Sequence, residues 1–269
     1  MNFGTVASKG ISLPIAMRCK GLKISLIKLV LKNIPGALAK ASSVIAKYNI
    51  NILSSILNAP SAGPKATMIS FIDYTKSRAP LDVVIEELKD SDVVLDVEVI
   101  KPQLPELIVN VLTYPLLCLD VRCILIHITG MSEMLRYLYS RFGSAAKALM
   151  YYAGYSSAKG MIGELKKVKE AEKIDILRAC LQLFQACGYG RFEILYSKLK
   201  PVNILIRAYD LFECEPFRGR MEEANSHFFR GILAGVVEAI TGEEVIALED
   251  KCIAKGDPFC QFIITRRIK

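Results

Sequence analysis

The stretch Lys23-Ile-Ser-Leu-Ile-Lys-Leu-Val-Leu-Lys-Asn-Ile-Pro-Gly36 decides the fold of the first part of the chain. Its first ten residues partly alternate and are rich in branched side chains, which predicts a strand. Asn33-Ile-Pro-Gly36 then breaks the strand. From Ala37 to Tyr48 the apolar residues recur at helical spacing, with Pro35 near the first turn, where a missing amide costs little. We therefore expect a strand, a tight turn and a helix.

The following residues continue to alternate between strand and helix signals. We predict strands over residues 49–53, 67–74 and 93–100, a helix over 81–88 and a Pro/Gly loop over 59–65. The resulting order, βαββαβ, is that of the ferredoxin-like split βαβ unit. Lys101-Pro-Gln-Leu-Pro105 then reads as a linker, because two closely spaced prolines separate a strand from a new apolar run.

Residues 23–100 resemble an ACT domain, a regulatory module that binds amino acids or similar small ligands where two such domains pair. Asn33-Ile-Pro-Gly-Ala-Leu-Ala39 matches the family's strand-to-helix turn, and Tyr48-Asn-Ile-Asn-Ile52 matches its helix-to-strand turn. The family's turn usually begins with Asp, and Asn33 lacks the charge that could favour an amino group. Amides at the start of the helix can receive a carboxylate, although Pro35 and Gly36 can equally form only a tight turn.

The resemblance implies that a small ligand is bound by residues of these two turns. The ligand-binding residues that we predict are Asn33, Ile34, Pro35, Gly36, Ala37, Leu38, Asn49 and Asn51.

We divide the chain into a basic N-terminal extension, an ACT-like domain and a second domain, over residues 1–22, 23–101 and 102–269. The second domain is predicted to contain a strand over 123–128, helices over 131–140, 145–165 and 171–186, a hairpin of 191–198 with 202–209, a helix over 222–241 and strands over 244–249 and 259–265. Gly154, Gly160 and Gly163 would allow close helix packing. The fold class is therefore α+β, with helices packed on an antiparallel sheet in the second domain.

Glu249-Asp-Lys-Cys252, followed eight residues later by Cys260, is typical of a zinc half-site. Gly256-Asp-Pro258 marks a turn between the cysteines, so both sulfurs can face one pocket. Zinc prefers four ligands, and Ser226 and His227 are candidates for the fourth. Any metal would be structural, because nothing nearby supplies a general base with an open substrate cavity. The alternative is a buried, reduced cysteine pair.

Residues 105–269 resemble the 4-vinyl reductase (4VR) family of small-molecule-binding domains. The matching pieces are Phe142–Gly160, Gly231-Ile-Leu-Ala-Gly235 and Gly242–Cys260. In sensor members of the family, zinc is held by a helix cysteine and by the Glu and two Cys of this spacing. The resemblance therefore implies ligands at Glu249, Cys252 and Cys260, whereas the helix cysteine falls at Ser226. His227, Cys214 or water would have to complete the site.

Phenol sensing does not transfer from these sensor members. They grip the phenol hydroxyl with a Trp and a His, whereas this chain has no Trp and its other histidine, His127, lies outside the matching helix. A cavity between the helices and the sheet could accept an apolar ligand or could be packed.

The net charge of +8 is unevenly distributed along the chain. Residues 1–72 contain nine Lys or Arg and no Asp or Glu, so the remainder is close to neutral. A basic first domain could attract nucleic acid or an acidic partner, or could be a solvated face that aids solubility. No aromatic interleaving or recognition-helix pattern supports nucleic-acid binding.

Two ligand modules without a catalytic set predict a ligand-sensing regulatory protein that needs a protein effector. The alternative is a dimeric adaptor or nucleic-acid-associated protein. A reductase is less favoured, because no G-x-G-x-x-G follows a strand; whether the chain is an enzyme stays undecided, with a non-catalytic role preferred. Both domain families commonly pair, so we expect a homodimer. We predict no membrane association and a cytoplasmic location, because no long apolar span or leader is recognised.

Overall fold

A computed structural model describes residues 10–60, 63–165 and 171–267 of the chain. The chain divides after Cys118 into two compact units. Residues 1–9 of the predicted basic extension and residues 61–62 of the predicted loop lie outside the described ranges. Within those ranges, no helix is both long enough and apolar enough to cross a membrane.

The first unit is built on one four-stranded antiparallel sheet. Its elements are β1 (Ala16–Arg18), β2 (Ile24–Lys32), α1 (Ala37–Lys47), β3 (Asn51–Asn58), β4 (Lys65–Asp73), α2 (Leu81–Lys89), β5 (Val94–Ile100) and β6 (Leu107–Val109). The strand order in the sheet is β3-β4-β2-β5. The two-residue strands β7 (Leu117–Cys118) and β8 (Val121–Arg122) lie on either side of the division between the units. The predicted βαββαβ order is confirmed.

Alternating residues of the central strand β2 explain how both faces of this sheet are covered. Ile27 and Leu29 point toward α1 and α2 and pack with residues such as Ile45 and Leu88. Gly36 precedes α1 with a φ of +85°, a left-handed conformation that glycine adopts without steric cost. The predicted turn therefore needs its glycine.

The opposite face of the sheet is covered by a second, smaller layer. There β1 pairs with β6, Met17 with Ile108, over a core that includes Leu26 and Phe71. Because this apolar face has to be buried, the chain beyond the predicted linker at Lys101 returns to the sheet. The first unit consequently extends to Cys118 rather than ending at Lys101.

The second unit packs helices on a four-stranded antiparallel sheet. Its longer elements are α3 (Ile128–Leu165), α4 (Lys173–Ala186), β9 (Arg191–Leu199), β10 (Val202–Tyr209), α5 (His227–Thr241), β11 (Val245–Lys251) and β12 (Cys260–Arg266). The strand order is β11-β12-β10-β9, so β11 is an edge strand. The predicted α+β class is confirmed.

Three local predictions in the second unit are wrong. Residues 123–127 form no strand, and α3 begins at Ile128. The two helices predicted over 131–140 and 145–165 are continuous except for a break at Gly143, whose φ is +53°. The helix predicted from Glu222 begins only at His227. In the first case an exposed apolar run imitated a buried strand, which periodicity alone cannot distinguish.

Helices α3 and α5 cross at unusually close range because glycines lie at the crossing. A Cβ at Gly154 would lie 2.0 Å from the carbonyl oxygen of Phe228, and one at Gly231 would lie 2.0 Å from that of Tyr151. Gly160 and Gly163, which we expected to serve the same purpose, have no neighbour within 4 Å of such a Cβ. Of the three predicted glycines, only Gly154 therefore permits close packing.

The lysines of the first unit are partly neutralised by acidic residues that follow later in the same unit. Lys28 pairs with Glu98, Lys40 with Asp92 and Lys47 with Glu87, at 3.0, 2.5 and 2.7 Å. The strong charge asymmetry along the sequence is thus reduced in the folded unit.

Candidate metal centre and ligand cavity

Four side chains from separate elements meet in the second unit. Cys214 lies in the loop after β10, Glu249 in β11, Cys252 directly after β11 and Cys260 at the start of β12. The four potential ligand atoms, three sulfurs and one carboxylate oxygen, all lie within 4.8 Å of one another. All three cysteines are fully buried. The antiparallel pairing of β12 with both β10 and β11 brings these segments together.

The sulfur spacing fits a tetrahedral metal site. Sγ of Cys252 lies 3.5 Å from Sγ of Cys214 and 4.0 Å from Sγ of Cys260. With Zn–S bonds of about 2.3 Å, tetrahedral geometry places two sulfurs roughly 3.8 Å apart. Three thiolates and one carboxylate are also a donor set that zinc accepts. The residues present therefore fit zinc without rearrangement of the chain.

Polar groups around the cluster support charged sulfurs. The backbone N–H of Asn225 donates to Sγ of Cys252, and that of Ile253 donates to Sγ of Cys260, both at 3.4 Å. Asp257, in the predicted turn, accepts from the backbone N–H of Cys252 at 2.8 Å. Such surrounding hydrogen bonds orient metal ligands and tune their basicity.

Ser226 lies beside the cluster at the position where the resemblance places a helix cysteine. Its hydroxyl donates to Glu249 Oε1 at 2.6 Å and lies 3.0 Å from Sγ of Cys214. The sulfur missing at Ser226 is thus replaced by one that arrives from the neighbouring loop. Cys214 becomes the fourth member of the cluster, and Ser226 becomes a hydrogen-bond donor to it.

The protonation of the metal-free cluster follows from burial and from hydrogen bonds between its members. Hydrogen bonds from the Cys214 and Cys260 thiols hold the pKa of Cys252 far below its usual range. Burial raises the pKa of Cys214 well above its usual range. Burial, followed by the charge of Cys252, raises the pKa of Glu249 to about 8. The metal-free cluster is therefore a thiolate that is hydrogen-bonded by protonated neighbours.

The structure does not bring His227 into the cluster, although we predicted it as a metal ligand. Its ring packs edge-on against Tyr139, with the ring centroids 5.7 Å apart, and its Nδ1 lies 3.3 Å from Nη2 of Arg230. Burial, followed by the charge of Arg230, lowers the pKa of His227 to about 4. Because His227 is the first residue of α5, its side chain leaves the helix on a different side from the cysteines.

Sequence reasoning missed a buried carboxylate next to the cluster. Glu213 is fully buried and accepts hydrogen bonds from the backbone N–H groups of Phe228 and Phe229, both at 2.8 Å. It also accepts from the hydroxyl of Tyr139 at 3.3 Å. Burial raises the pKa of Glu213 to about 7. The carboxylate satisfies amides at the start of α5, which no residue at the cap position does.

The predicted ligand-binding residues of the first unit fall into two separate groups. Residues 33–38 lie at the start of α1, whereas Asn49 and Asn51 lie beyond its C-terminal end. An eleven-residue helix separates them by roughly 16 Å. Within the first group, Ile34 and Leu38 are exposed, and the Asn33 amide donates to the carbonyls of Pro60 and Gly63 at 2.7 and 2.8 Å.

In the second group, Asn49 has a positive φ and donates from its amide to the carbonyl of Lys76. The amides of Asn33 and Asn49 therefore hold loops in place. Only the start of α1 presents exposed side chains together with helix amides.

A cavity of about 630 Å³ lies in the second unit between α3, α5 and the edge strand β11. Tyr151 and Tyr155 of α3, His227 and Arg230 of α5 and residues 245–248 of β11 contribute to its walls. Ser226 and Glu249 of the cysteine cluster are the immediate chain neighbours of His227 and Leu248 in these walls. The cavity and the cluster thus share the first turn of α5 and one end of β11.

Comparison with known proteins identifies both units. Residues 25–92 match the family model of the ACT domain, and residues 207–266 match that of the vinyl-4-reductase (4VR) domain. The chain contains an ACT domain and a 4VR domain. The two resemblances seen in the sequence are thereby confirmed. The 4VR match includes Cys214, Glu249, Cys252 and Cys260, so the whole cluster lies inside the matched segment.

Two uncharacterized proteins of Methanocaldococcus jannaschii are similar to parts of the chain. One is 22% identical over 122 residues, which are 45% of this chain and 66% of that protein. The other is 27% identical over 132 residues, which are 48% of this chain and 72% of that protein.

Among solved structures, the phenol-responsive sensory domain of the transcription activator PoxR is similar to the chain. It has a TM-score of 0.52 and 19% identity, and the match covers 55% of this chain and 78% of that domain. At this level of identity the likeness establishes the fold alone.

Proposed function

We propose that this protein is a ligand-responsive regulator in which each unit binds a small molecule. The observation that carries the proposal is the preformed cavity of about 630 Å³ in the 4VR unit, in a chain that also contains an ACT domain. Cavities of roughly 300–1,000 Å³ are typical of small-molecule sites. The fold shared with a phenol-responsive sensory domain supports a sensing role. Output would pass to a protein effector.

Phenol itself is not the proposed ligand of the 4VR unit. The chain has no Trp, and His127 is exposed before the first turn of α3 rather than lying in the cavity wall. The ligand of the 4VR unit therefore has to be recognised by other groups than those that the phenol sensors use.

The ACT unit is proposed to bind an amino-acid-like molecule at the start of α1. Helix amides at this end favour a carboxylate, and Ile34 and Leu38 provide exposed apolar surface beside them. Because Asn49 and Asn51 lie at the other end of α1, they are left out of this site in one ACT domain. A homodimer, which we also propose, could bring them to a neighbouring copy, and sedimentation analysis tests the oligomeric state.

Cys214, Glu249, Cys252 and Cys260 are proposed to hold one zinc ion. Zinc at these residues would act as a structural cross-link between the loop after β10 and the facing ends of β11 and β12. Four protein ligands with buried sulfurs complete a tetrahedral shell, which is the arrangement of structural rather than catalytic sites. Of the predicted ligands, Glu249, Cys252 and Cys260 are retained, and Cys214 takes the place of His227.

Calorimetric titration of the full chain with amino acids and with small aromatic acids tests the regulatory proposal. We expect one class of ligand for each unit. A saturating concentration of either ligand should change the affinity for the other by the same factor, because coupling between two sites is reciprocal. The proposal fails if neither class of ligand binds.

Leu38→Asp provides a site-specific variant for the ACT unit. Leu38 is exposed and lies in the first turn of α1, where a carboxylate is compatible with the helix dipole. Its negative charge should abolish binding of an amino acid carboxylate there. Asn51→Asp, at the other end of the helix, is the matched control and should leave that binding unchanged.

A further inference from the structure

The cavity of the 4VR unit contains two buried hydrogen-bond donors that have no acceptor. Nε2 of His227 and Nε of Arg230 are both buried and lack a partner, and both residues line the cavity. The His227 side chain belongs to a residue that is only 8% exposed. Buried polar atoms almost always have a partner in native proteins. Two such atoms in the wall of one cavity therefore indicate a missing acceptor.

The neighbouring hydrogen bond defines the chemistry of the His227 ring. Nη2 of Arg230 lies 3.3 Å from Nδ1 of His227. A guanidinium group can only donate, so Nδ1 has to accept, and the hydrogen of the neutral ring is then on Nε2. Burial favours this neutral form, in agreement with the lowered pKa of His227. Both unpartnered atoms are consequently N–H donors, and their common partner has to supply acceptor oxygens.

Charge in the cavity favours an anionic acceptor at this end. Within the described residues, no carboxylate forms an ion pair with Arg230, and Lys147 of the same wall pairs only with the exposed Glu223, at 2.7 Å. At the other end of the cavity, Glu238 is already paired with Lys159 at 3.5 Å and accepts from the hydroxyl of Tyr155. The positive end therefore lies at Arg230, where a carboxylate could receive a charge-assisted hydrogen bond.

The remaining walls are suited to a flat, weakly polar body. The ring of Tyr151 is stacked under the guanidinium of Arg230, 5.5 Å from its carbon, and Tyr155 follows one turn later on α3. Ala247 and Leu248 line the facing edge of the sheet. Aromatic rings prefer other rings at offset or edge-on distances of about 4.5–7 Å. An aromatic ring next to the acidic group would satisfy these walls.

We propose that this cavity binds an aromatic carboxylate, whose carboxylate group accepts hydrogen bonds from Nε2 of His227 and Nε of Arg230. The ring of the ligand lies between Tyr151, Tyr155 and the edge strand β11. The proposal rests on the proposed function and specifies the ligand class of its 4VR unit. His227, which does not join the metal cluster, thereby acquires a role in ligand recognition.

Benzoate and benzyl alcohol, which share a ring and differ in charge, are the probes for this site. Binding is measured by calorimetry and by saturation-transfer NMR on the full chain, in a buffer free of carboxylates and phosphate. We expect benzoate to bind at least about tenfold more tightly than benzyl alcohol, which corresponds to one charge-assisted hydrogen bond. Phenylacetate and 3-phenylpropionate extend the panel to longer acids.

Two variants remove the donors separately. Arg230→Met keeps much of the side-chain length, and His227→Phe keeps a ring while losing Nε2–H. Each should weaken benzoate binding by about tenfold or more and leave benzyl alcohol binding nearly unchanged. Arg178→Met is the matched control, since Arg178 pairs with Asp175 on the surface of α4, outside the cavity. Circular dichroism verifies that each variant is folded, and the second variant decides if one is not.

Three results would overturn the assignment. These are equal affinity for benzoate and benzyl alcohol, unchanged benzoate binding in both cavity variants, and no binding of any acid in the panel. If other small molecules bind the protein independently of His227 and Arg230, this site assignment fails and the regulatory proposal stands. If no small molecule binds either unit, the regulatory proposal fails as well.

Discussion

The sulfur of Cys214 lies 3.5 Å from the sulfur of Cys252, although 38 residues separate them in the chain. The contact exists because β10 and β11 both pair with β12, so the loop after β10 returns to the turn after β11. Ser226 lies beside the pair and donates to Glu249. A thiol has thus entered the cluster from a loop, next to a helix position that carries a hydroxyl.

Gly154→Ala should destabilise the 4VR unit. The new Cβ would lie 2.0 Å from the carbonyl oxygen of Phe228, so α3 and α5 would have to move apart. We expect a loss of at least about 2 kcal/mol in the free energy of unfolding, the cost of overpacking a tight contact. Urea denaturation followed by circular dichroism measures it.

Gly160→Ala is the matched control on the same helix. Its Cβ would meet nothing within 4 Å, and alanine favours a helix over glycine by up to about 1 kcal/mol. We expect unchanged or slightly increased stability. Equal losses in both variants would show that the glycines act through helix propensity rather than through the crossing.

Asn33→Asp should destabilise the ACT unit even though the family usually has Asp at this position. The Asn33 amide donates to the carbonyls of Pro60 and Gly63, and a carboxylate would face these two oxygens without a hydrogen to donate. We expect a loss of about 1–3 kcal/mol, the cost of breaking such hydrogen bonds. Hydrogen exchange of amides in β2 and α1 measures the change. Asn51→Asp should have little effect, and equal protection in both variants would contradict the assigned role of Asn33.

Metal binding to the cluster should release protons. In the metal-free protein, burial raises the pKa of Glu249 to about 8 and that of Cys214 well above its usual range, and a metal requires both groups deprotonated. Affinity should therefore rise with pH through about 8. Between about pH 7 and about pH 9 the number of protons released per metal should fall by roughly one, as Glu249 loses its proton before binding.

Calorimetry in buffers with different ionisation enthalpies counts these protons. A release that does not change with pH would indicate that Glu249 is already ionised in the metal-free protein, contrary to its buried position beside the Cys252 thiolate.

Local sequence patterns were sufficient for the ACT unit. The alternation in Lys23–Lys32, the helical spacing after Ala37 and the turn at Gly36 all act over neighbouring residues, and the observed elements begin and end close to the predicted ones. In the 4VR unit, Glu249, Cys252 and Cys260 were recognisable because they lie on two paired strands joined by a short turn.

The features that escaped prediction depend on contacts between distant parts of the chain. Cys214 has no ligand-like neighbour in sequence, and only the pairing of Ala208 with Cys260 places its loop beside the cluster. His227 was assigned by its proximity to Ser226, but side chains of adjacent helical residues point in different directions. The cover of the ACT sheet by β6 likewise depends on strand β1, more than eighty residues earlier.

Metal analysis of the purified protein tests the central claim most directly, when wild type is compared with Cys214→Ser and with Cys180→Ser. Cys180 is a buried thiol on α4 outside the cluster and serves as the matched control. We predict one zinc ion per chain in wild type and in Cys180→Ser, and a loss of most of it in Cys214→Ser. Wild-type protein without stoichiometric zinc, or a Cys214→Ser variant that retains it fully, would contradict the four-residue metal centre.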